Sequence, residues 1–240
     1  MIQEFNKYVN QFDISDKRIM NKIEHSLRVA SKMKEYAEKL NFTEDEIQIA
    51  YEIGLLHDIG RFKQIEKTNS FMDTNEFDHA DYAINLLFKE NYIEKFQIDK
   101  NHYETIKHAI YNHNKYRLQQ HDDPKILNLS RLIRDIDKID ILYIFGTLNV
   151  YDEKSDDSEI NIEILNSIRN YELINWEKVK TNNDKIAQRF ALAFDMNFTV
   201  TLKEIKENLI KYYNKIENEN RFNDIFKTIK NYLNERIDKA

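Results

Sequence analysis

Cysteine is absent from the 240-residue chain, and proline and glycine are scarce, with one and three residues. The absence of cysteine excludes disulfides, thiolate metal sites and cysteine nucleophiles, so that histidine and carboxylates are the strong metal ligands that remain. Since glycine and proline punctuate strands and hairpins, their scarcity beside abundant helix formers such as lysine and glutamate favours helices. We therefore predict an all-α protein.

Long apolar runs and basic stripes are also missing. The longest apolar runs, such as "IDILYIFG", are too short to span a membrane, and the opening "MIQEFNKYVN" has neither the basic nor the apolar region of a signal peptide. The formal net charge of -6 disfavours non-specific binding to nucleic acids, which depends on neutralising phosphates. We expect a cytoplasmic protein without a membrane partner, and a small anionic substrate held by metal ions is compatible with this charge.

The length allows one sizeable core, and no repeat or low-complexity linker divides the chain. We predict a single domain over residues 1–240, with its motifs at about 20–145 and a helical extension at about 160–240. The acidic segment 151–159 is the best candidate for a flexible surface loop. A homodimer is left open.

Helical spacing of apolar residues from Asp16 to Leu40 predicts a long amphipathic helix. Thr43 and Glu46 form a capping-box pattern, which predicts that the next helix begins at Thr43, and this helix is expected to end at Gly60. The polar segment 61–77 that follows is predicted to be a functional loop.

Three further helices are predicted in the middle of the chain. Asp78 is expected to cap a helix that begins at His79. Another helix covers roughly Tyr103 to Tyr116, and the strongest apolar helix, "ILNLSRLIRDIDKIDILYIF", follows Pro124.

His57 and Asp58 form a doublet in "LLHDIG". His57 shares a helix face with Gly54, and this small residue one turn earlier leaves room close to the backbone. Asp58 lies about 100° further round the helix, so that the two side chains can hold one ion from adjacent directions. The alternative is helix-end chemistry, in which a histidine is favourable near the C-terminus but an aspartate is not.

Asp137 interrupts an apolar line of the helix after Pro124. Burying an unpaired carboxylate costs several kcal/mol, so a cation, a proton or a metal ion is expected to meet it. The alternative is a buried salt bridge to an arginine or a lysine.

Three histidines on other predicted helices complete the set of candidate ligands. His25 is expected at the edge of the core, His79 opens a helix, and His113 lies on the apolar line of another. Imidazole and carboxylate ligands without thiolate suit Mn, Fe, Co, Ni or Mg rather than structural zinc, with one or two ions per chain. Each histidine alone also has a structural explanation.

Five segments resemble, in order, the motifs of the HD-domain metal-dependent phosphohydrolase superfamily, whose fold is an all-α helical bundle. The segments are "EHSLRVA", "LLHDIG", "DHADYAINLL", "AIYNHN" and "RDIDKID", and the resemblance covers about residues 20–145. Asn114 follows His113 where the HD-GYP phosphodiesterases have a second histidine, and no GYP motif is present. These departures argue against that subgroup.

The resemblance implies a ligand set and a reaction. One metal ion would be held by His25, His57, Asp58 and Asp137. A second ion would be held with the help of His79 and His113, with Asp58 bridging the two. Arg61 is expected to be either a phosphate clamp or a cation that complements a helix C-terminus.

Three nearby residues receive weaker interpretations. Asp135 competes with Asp137 as a ligand but shares a face with Arg131 and Lys138, which favours a solvated ion pair. His108 is expected on the surface. Asp140 is a candidate to orient a ligand histidine.

The predicted reaction is hydrolysis of a phosphoester or phosphoanhydride of a nucleotide-like substrate by metal-activated water. Its catalytic residues would be Asp58, His79, His113 and Arg61. With a single ion bound, His79 or His113 would instead protonate the leaving oxygen. The alternatives are a cyclic nucleotide or dinucleotide phosphodiesterase of the same fold, a diiron oxygenase, and a helical interaction protein without catalysis.

Overall fold

The structure is a computed structural model that describes residues 1–151, 154–216 and 219–239. Its regular secondary structure is helical, and these residues contain no strand, which confirms the all-α prediction. The α-helices are α1 (Ile2–Val9), α2 (Lys17–Lys39), α3 (Glu44–Leu56), α4 (Ile59–Thr68), α5 (His79–Ile84), α6 (Tyr103–Asn112), α7 (Pro124–Thr147), α8 (Ile162–Arg169), α9 (Asn182–Ala191), α10 (Leu202–Lys215) and α11 (Asn223–Asp238). Shorter helical segments are the π-helical continuation of α5 at Asn85–Lys89 and 3-10 turns at Tyr92–Phe96, Lys100–His102, Trp176–Lys178, Leu192–Asp195, Thr199–Thr201 and Glu219–Phe222.

The chain divides into two compact units, Met1–Ile133 and Arg134–Ala240, with the boundary inside α7. Each unit is described separately below. A single domain over the whole chain stays a prediction. None of the helices in the described parts of the chain combines the length and the apolar character that crossing a bilayer requires.

The beginnings of α2 and α3 agree with the sequence patterns. The Asp16 side chain caps α2 by accepting a hydrogen bond from the backbone N–H of Arg18. Thr43 and Glu46 form the predicted capping box at α3, in which each side chain bonds to the backbone of the other residue. These caps satisfy backbone N–H groups that the first turn of a helix leaves without an internal partner.

The predicted end of α3 at Gly60 and the predicted loop over residues 61–77 are wrong. Helix α3 ends at Leu56, and α4 covers Ile59–Thr68. Phe62 and Ile65 are buried three residues apart on one face of α4, but the polar residues around them hide this short pattern. The loop is therefore limited to residues 69–78, and it begins at Asn69, which has the left-handed conformation with φ 55°.

Two glycines allow close backbone approach within the first unit. A Cβ atom on Gly54 of α3 would lie 2.6 Å from the Cα atom of Ala30 in α2. A Cβ atom on Gly60 of α4 would collide with the carbonyl oxygen of His79 at the start of α5. Both contacts require glycine, because a side chain would force the backbones apart. They bring α2 against α3, and α4 against α5.

The three helices after the loop, α5, α6 and α7, agree with the prediction, except that α6 is shorter than expected. Asp78 caps α5 by accepting hydrogen bonds from the N–H groups of Ala80 and Asp81, as expected. Helix α6 ends at Asn112 rather than near Tyr116. Helix α7 begins at Pro124, where the missing N–H of proline costs nothing because the first turn has no internal acceptor for it.

The second unit contains a buried aspartate whose interpretation is corrected. Asp135 is fully buried rather than part of a solvated ion pair. Its carboxylate accepts hydrogen bonds from the N–H of Asn197 at 2.8 Å, the N–H of Phe198 at 3.0 Å and the hydroxyl of Thr201 at 2.8 Å. Lys138 bonds instead to Asp195 at 2.8 Å. Asp135 therefore anchors the segment before α10.

The acidic segment 151–159 also belongs to the second unit, and Asp152 and Glu153 lie outside the described residues. Its remaining part is irregular and is bonded to α9, because the amide of buried Asn183 donates to the carbonyl oxygens of Asp156 at 2.8 Å and Ser158 at 2.6 Å.

The single tryptophan of the chain, Trp176, is half-exposed in the same unit.

Candidate metal centre

Four histidines and one aspartate converge inside the first unit. They are His25 in α2, His57 and Asp58 in the turn between α3 and α4, His79 at the first position of α5, and His113 directly after α6. None of the five is more than 3% exposed. The structure thus brings together five of the six predicted ligands, on side chains up to 88 positions apart in sequence.

The first triad consists of His25, His57 and the Oδ2 atom of Asp58. The Nε2 atoms of the two histidines lie 3.2 Å apart. The Oδ2 atom is 3.4 Å from Nε2 of His25 and 3.6 Å from Nε2 of His57. Three potential ligand atoms therefore face one point.

The second triad consists of His79, His113 and the other carboxylate oxygen of Asp58, Oδ1. Its two Nε2 atoms are 2.9 Å apart. The Oδ1 atom lies 3.2 Å from Nε2 of His79 and 3.6 Å from Nε2 of His113. Asp58 therefore contributes one oxygen to each triad, which is the arrangement of a bridging carboxylate.

Hydrogen bonds at Nδ1 determine which atom three of the histidines present to the triads. His57 donates from Nδ1 to the carbonyl oxygen of Gly54 at 2.8 Å, and His113 donates to that of Ile110 at 2.6 Å. His79 donates from Nδ1 to the carboxylate of Asp73 at 2.8 Å. Because these oxygens only accept, the proton is on Nδ1, and Nε2 of a neutral ring then carries the lone pair that a cation would bind.

These distances fit a metal ion. In the second triad two Nε2 atoms of this kind face each other at 2.9 Å, and lone pairs at that distance repel unless a cation or a proton lies between them. Ligands that bind one ion at about 2.1 Å, separated by 90–110°, lie about 3.0–3.4 Å apart. Both triads approach this spacing, and together they form buried groups that can hold a metal.

The electrostatic surroundings keep Asp58 ionised. Burial alone would raise its pKa, but the Lys22 ammonium and the neighbouring imidazoles, His57 foremost, hold the pKa of this carboxyl well below its ordinary value. Burial has the opposite effect on His113 and lowers its pKa to about 4, so that this ring is neutral at pH 7. An anionic carboxylate and a neutral imidazole are the protonation states that metal binding needs.

Two cations flank the Asp58 carboxylate. The Lys22 ammonium lies 2.5 Å from Oδ2, and Nε of Arg61 lies 3.5 Å from Oδ1. Phe71 is next to both, since the Lys22 ammonium is 5.4 Å and the Arg61 guanidinium 6.0 Å from the centre of its ring. Arg61 is in the first turn of α4, so the alternative role at a helix C-terminus is wrong.

The Arg61 guanidinium is held by the 69–78 loop. Its NH1 group donates to the carbonyl oxygen of Phe71 at 2.6 Å, and to Gln64 at 2.7 Å. The same group reaches Asp73 at 3.3 Å. Nε makes no hydrogen bond and faces the metal centre.

Sequence reasoning missed Lys22 and Asp73. Lys22 precedes His25 by three residues, which places both on one face of α2, so helical spacing alone was a usable signal. Asp73 lies in an irregular loop, where no periodicity indicates the direction of a side chain. Its role became visible only from the bond to His79.

Three other predicted residues lie apart from the triads or outside the first unit. Asp137 is buried in the part of α7 that belongs to the second unit, and its role as a ligand stays a prediction, as does the orienting role of buried Asp140. His108 is half-buried rather than on the surface, and its Nδ1 lies 2.8 Å from the hydroxyl of Ser130.

A family model described as HD domain matches residues 23–142, which is half of the chain. The chain belongs to the HD domain family. Members of this family are generally hydrolases that bind divalent metals, and the matched range of the HD domain includes every predicted ligand from His25 to Asp137. No curated protein and no solved structure matches the chain.

Proposed function

We propose that this HD domain is a metal-dependent phosphohydrolase that cleaves a phosphoester or phosphoanhydride of a nucleotide-like substrate. The observation that supports it is the division of one carboxylate between two triads. Oδ2 of Asp58 faces His25 and His57, and Oδ1 faces His79 and His113. Paired metal sites with a shared carboxylate are well suited to displacement at phosphorus, where both the attacking and the leaving oxygen need stabilisation.

The residues of the two triads would hold two ions. Imidazole-rich sites favour Mn, Fe, Co or Ni over Mg, which prefers oxygen ligands. When bound, such ions would polarise the phosphoryl oxygens and lower the pKa of an attacking water. The protein contributes their positions, because the Nδ1 hydrogen bonds of His57, His79 and His113 fix the ring orientations.

Substrate binding would depend on the two cations beside Asp58. Arg61 offers an N–H group at Nε that has no hydrogen-bond partner, and its other contacts keep the guanidinium in place. The Lys22 ammonium is a point charge that lies next to the other carboxylate oxygen of Asp58, Oδ2. A guanidinium and an ammonium beside the same carboxylate suit a phosphoryl group, which carries negative charge on several oxygens.

The roles of His79 and His113 depend on the number of ions. With two ions, both rings act as ligands through Nε2. With one ion, a ring that keeps Nδ1–H would need a second proton to act as an acid, which burial opposes at His113. We therefore propose that both histidines are ligands.

The first experiment is metal analysis of protein purified without chelators, with a screen of phosphoesters and nucleotides in Mn and Mg. We expect two ions per chain and hydrolysis. His25→Gln and His79→Gln should each remove one ion, whereas His121→Gln, whose ring lies against His108 rather than in either triad, should retain both. Protein that binds no ion after anaerobic reconstitution with Mn or Fe would contradict the proposal, and a coloured, redox-active iron form without hydrolysis would favour an oxygenase.

A further inference from the structure

Asp73 is the most heavily bonded acceptor next to the metal centre. Its Oδ1 atom accepts from the backbone N–H of His79 at 3.1 Å, from the amide of Gln64 at 2.9 Å and from Arg61 at 3.3 Å. Both carboxylate oxygens lie 2.8 Å from Nδ1 of His79. One carboxylate of the 69–78 loop thus contacts a residue of the second triad and the neighbouring arginine.

Among the three Nδ1 bonds described above, the one to Asp73 differs in kind. His57 and His113 bond to carbonyl oxygens of their own preceding helical turns, three residues earlier. These two orientations follow from local helical geometry. His79 is the first residue of α5, so no turn precedes it, and its ring depends on a side chain from the loop.

Asp73 also holds Arg61 in place. The guanidinium is bonded through NH1 to the loop and to Gln64, and Gln64 donates in turn to Asp73. Loss of the Asp73 carboxylate would therefore release the ring of His79 and weaken the position of Arg61 in one step. Asp58 also contacts both residues, but it faces Nε2 of His79 and Nε of Arg61, whereas Asp73 contacts Nδ1 and NH1 on their other sides.

We propose that Asp73 is a positioning residue that keeps the Nδ1 proton on His79, so that Nε2 stays bare toward the second triad, and keeps Arg61 beside Asp58. The inference rests on the proposed function for its catalytic meaning. Its structural content, the protonation of one ring nitrogen, holds whether or not the protein is a phosphohydrolase. A carboxylate acceptor also raises the ligand strength of the ring that donates to it.

The nearby Asp78 provides a matched control. It lies in the same loop, and its carboxylate accepts from the N–H groups of Ala80 and Asp81 and from Lys115. Asparagine caps helices as well as aspartate does, so Asp78→Asn should preserve α5. Asp73→Leu removes the other carboxylate of this loop at similar side-chain size, together with both oxygens that lie 2.8 Å from Nδ1 of His79, so that this position can no longer accept the Nδ1 proton.

The test is long-range ¹H–¹⁵N NMR of the histidine rings in chelator-treated protein, with the His79 signals assigned by their loss in His79→Gln. We expect Nδ1 of His79 to be protonated in the wild type and in Asp78→Asn, and to lose its proton to Nε2 in Asp73→Leu. A bare Nδ1 in the wild type would overturn the proposal even if the Asp73 variant failed to fold. So would an unchanged ring in a folded Asp73→Leu.

Metal titration then separates this inference from the proposed function. Replacing an acceptor behind a ligand histidine typically costs about 10–100-fold in metal affinity, so Asp73→Leu should weaken only the second ion by about this factor. The first ion should bind as in the wild type and in Asp78→Asn. Wild-type protein that binds no ion would defeat the proposed function but leave the NMR result intact, whereas equal weakening of both ions would overturn the role of Asp73.

Discussion

Two buried aspartates, one in each unit, show what distinguishes a candidate metal ligand from a structural carboxylate. Asp58 and Asp135 are at most 2% exposed. Asp58 faces an ammonium and imidazoles, and these hold its pKa well below the ordinary value against the effect of burial. Asp135 faces amide and hydroxyl donors, which lower its pKa. Burial raises the pKa by more, so that the pKa of Asp135 is about 6. Burial of a carboxylate therefore does not indicate a metal site unless its neighbours can themselves be ligands.

Asp58→Asn should produce the largest effect, because it removes the negative charge that both triads share and replaces the carboxylate oxygen of one triad with an amide NH2 group. We expect loss of both ions and a decrease in kcat/KM of at least about 1,000-fold, on the order of 4 kcal/mol in transition-state stabilisation. Metal analysis and steady-state kinetics are the measurements. Asp122→Asn, at an exposed position, is the control. A variant that keeps two ions would remove the basis for contrasting Asp58 with Asp135.

Asp135 should make the free energy of unfolding depend on pH. Its pKa is about 6 in the folded state against an ordinary 3.8, so its contribution is fully present below about pH 4 and is lost as the pH rises through about 6. The loss is on the order of 3 kcal/mol. Urea unfolding of the wild type and Asp135→Asn between pH 4 and 8 measures this contribution. The new amide changes the free energy of unfolding by the same amount at every pH, so it does not affect the pH dependence. Parallel profiles for both proteins would show that Asp135 is ionised throughout.

Arg61→Ala should weaken substrate binding without removing metal. We expect KM to rise about 10–100-fold with both ions retained, since the guanidinium contacts the substrate rather than the metals in our proposal. Lys63→Ala on the same helix is the control, because Lys63 pairs with Glu66 away from the centre. An Arg61→Ala protein with unchanged KM and kcat would exclude the clamp.

His102 extends the comparison to an imidazole that lies between two carboxylates and binds a proton rather than a metal ion. Its effect on stability should be the smallest of the predicted effects. Its Nδ1 lies 2.8 Å from Glu52 and its Nε2 lies 2.9 Å from Asp45, so both nitrogens donate when the ring is protonated. Burial opposes this charge, but the two carboxylates raise the pKa of His102 overall.

The stability from His102 should be fully present below its unfolded pKa of about 6.5 and lost as the pH rises through the higher folded value. Because Asp45 is largely exposed, we expect less than about 1 kcal/mol. Thermal unfolding of His102→Gln and wild type between pH 5 and 9 measures it. The prediction fails if the difference between the two proteins does not shrink at high pH.

The sequence was most informative where a local rule applies. Helical spacing and capping patterns predicted α2, the start of α3 and the cap of α5. Ordered motifs selected five side chains that the fold brings together. Contacts between distant segments were not predictable, because helical spacing pairs Asp135 with Lys138, whereas the structure bonds Asp135 to residues more than 60 positions later. Asp73 was missed for another reason, since it lies in an irregular loop where no periodicity indicates the direction of a side chain.

The position of Trp176 has a spectroscopic consequence. As the only tryptophan of the chain, it places the indole emission entirely in the second unit, while the ring signals of His25, His57, His79 and His113 report on the first. A single denaturant titration followed by both probes therefore measures the unfolding of each unit independently. Coincident midpoints would mean that the two units unfold as one cooperative domain, and a lower midpoint for the histidine signals would mean that the metal centre can be lost while the second unit stays folded.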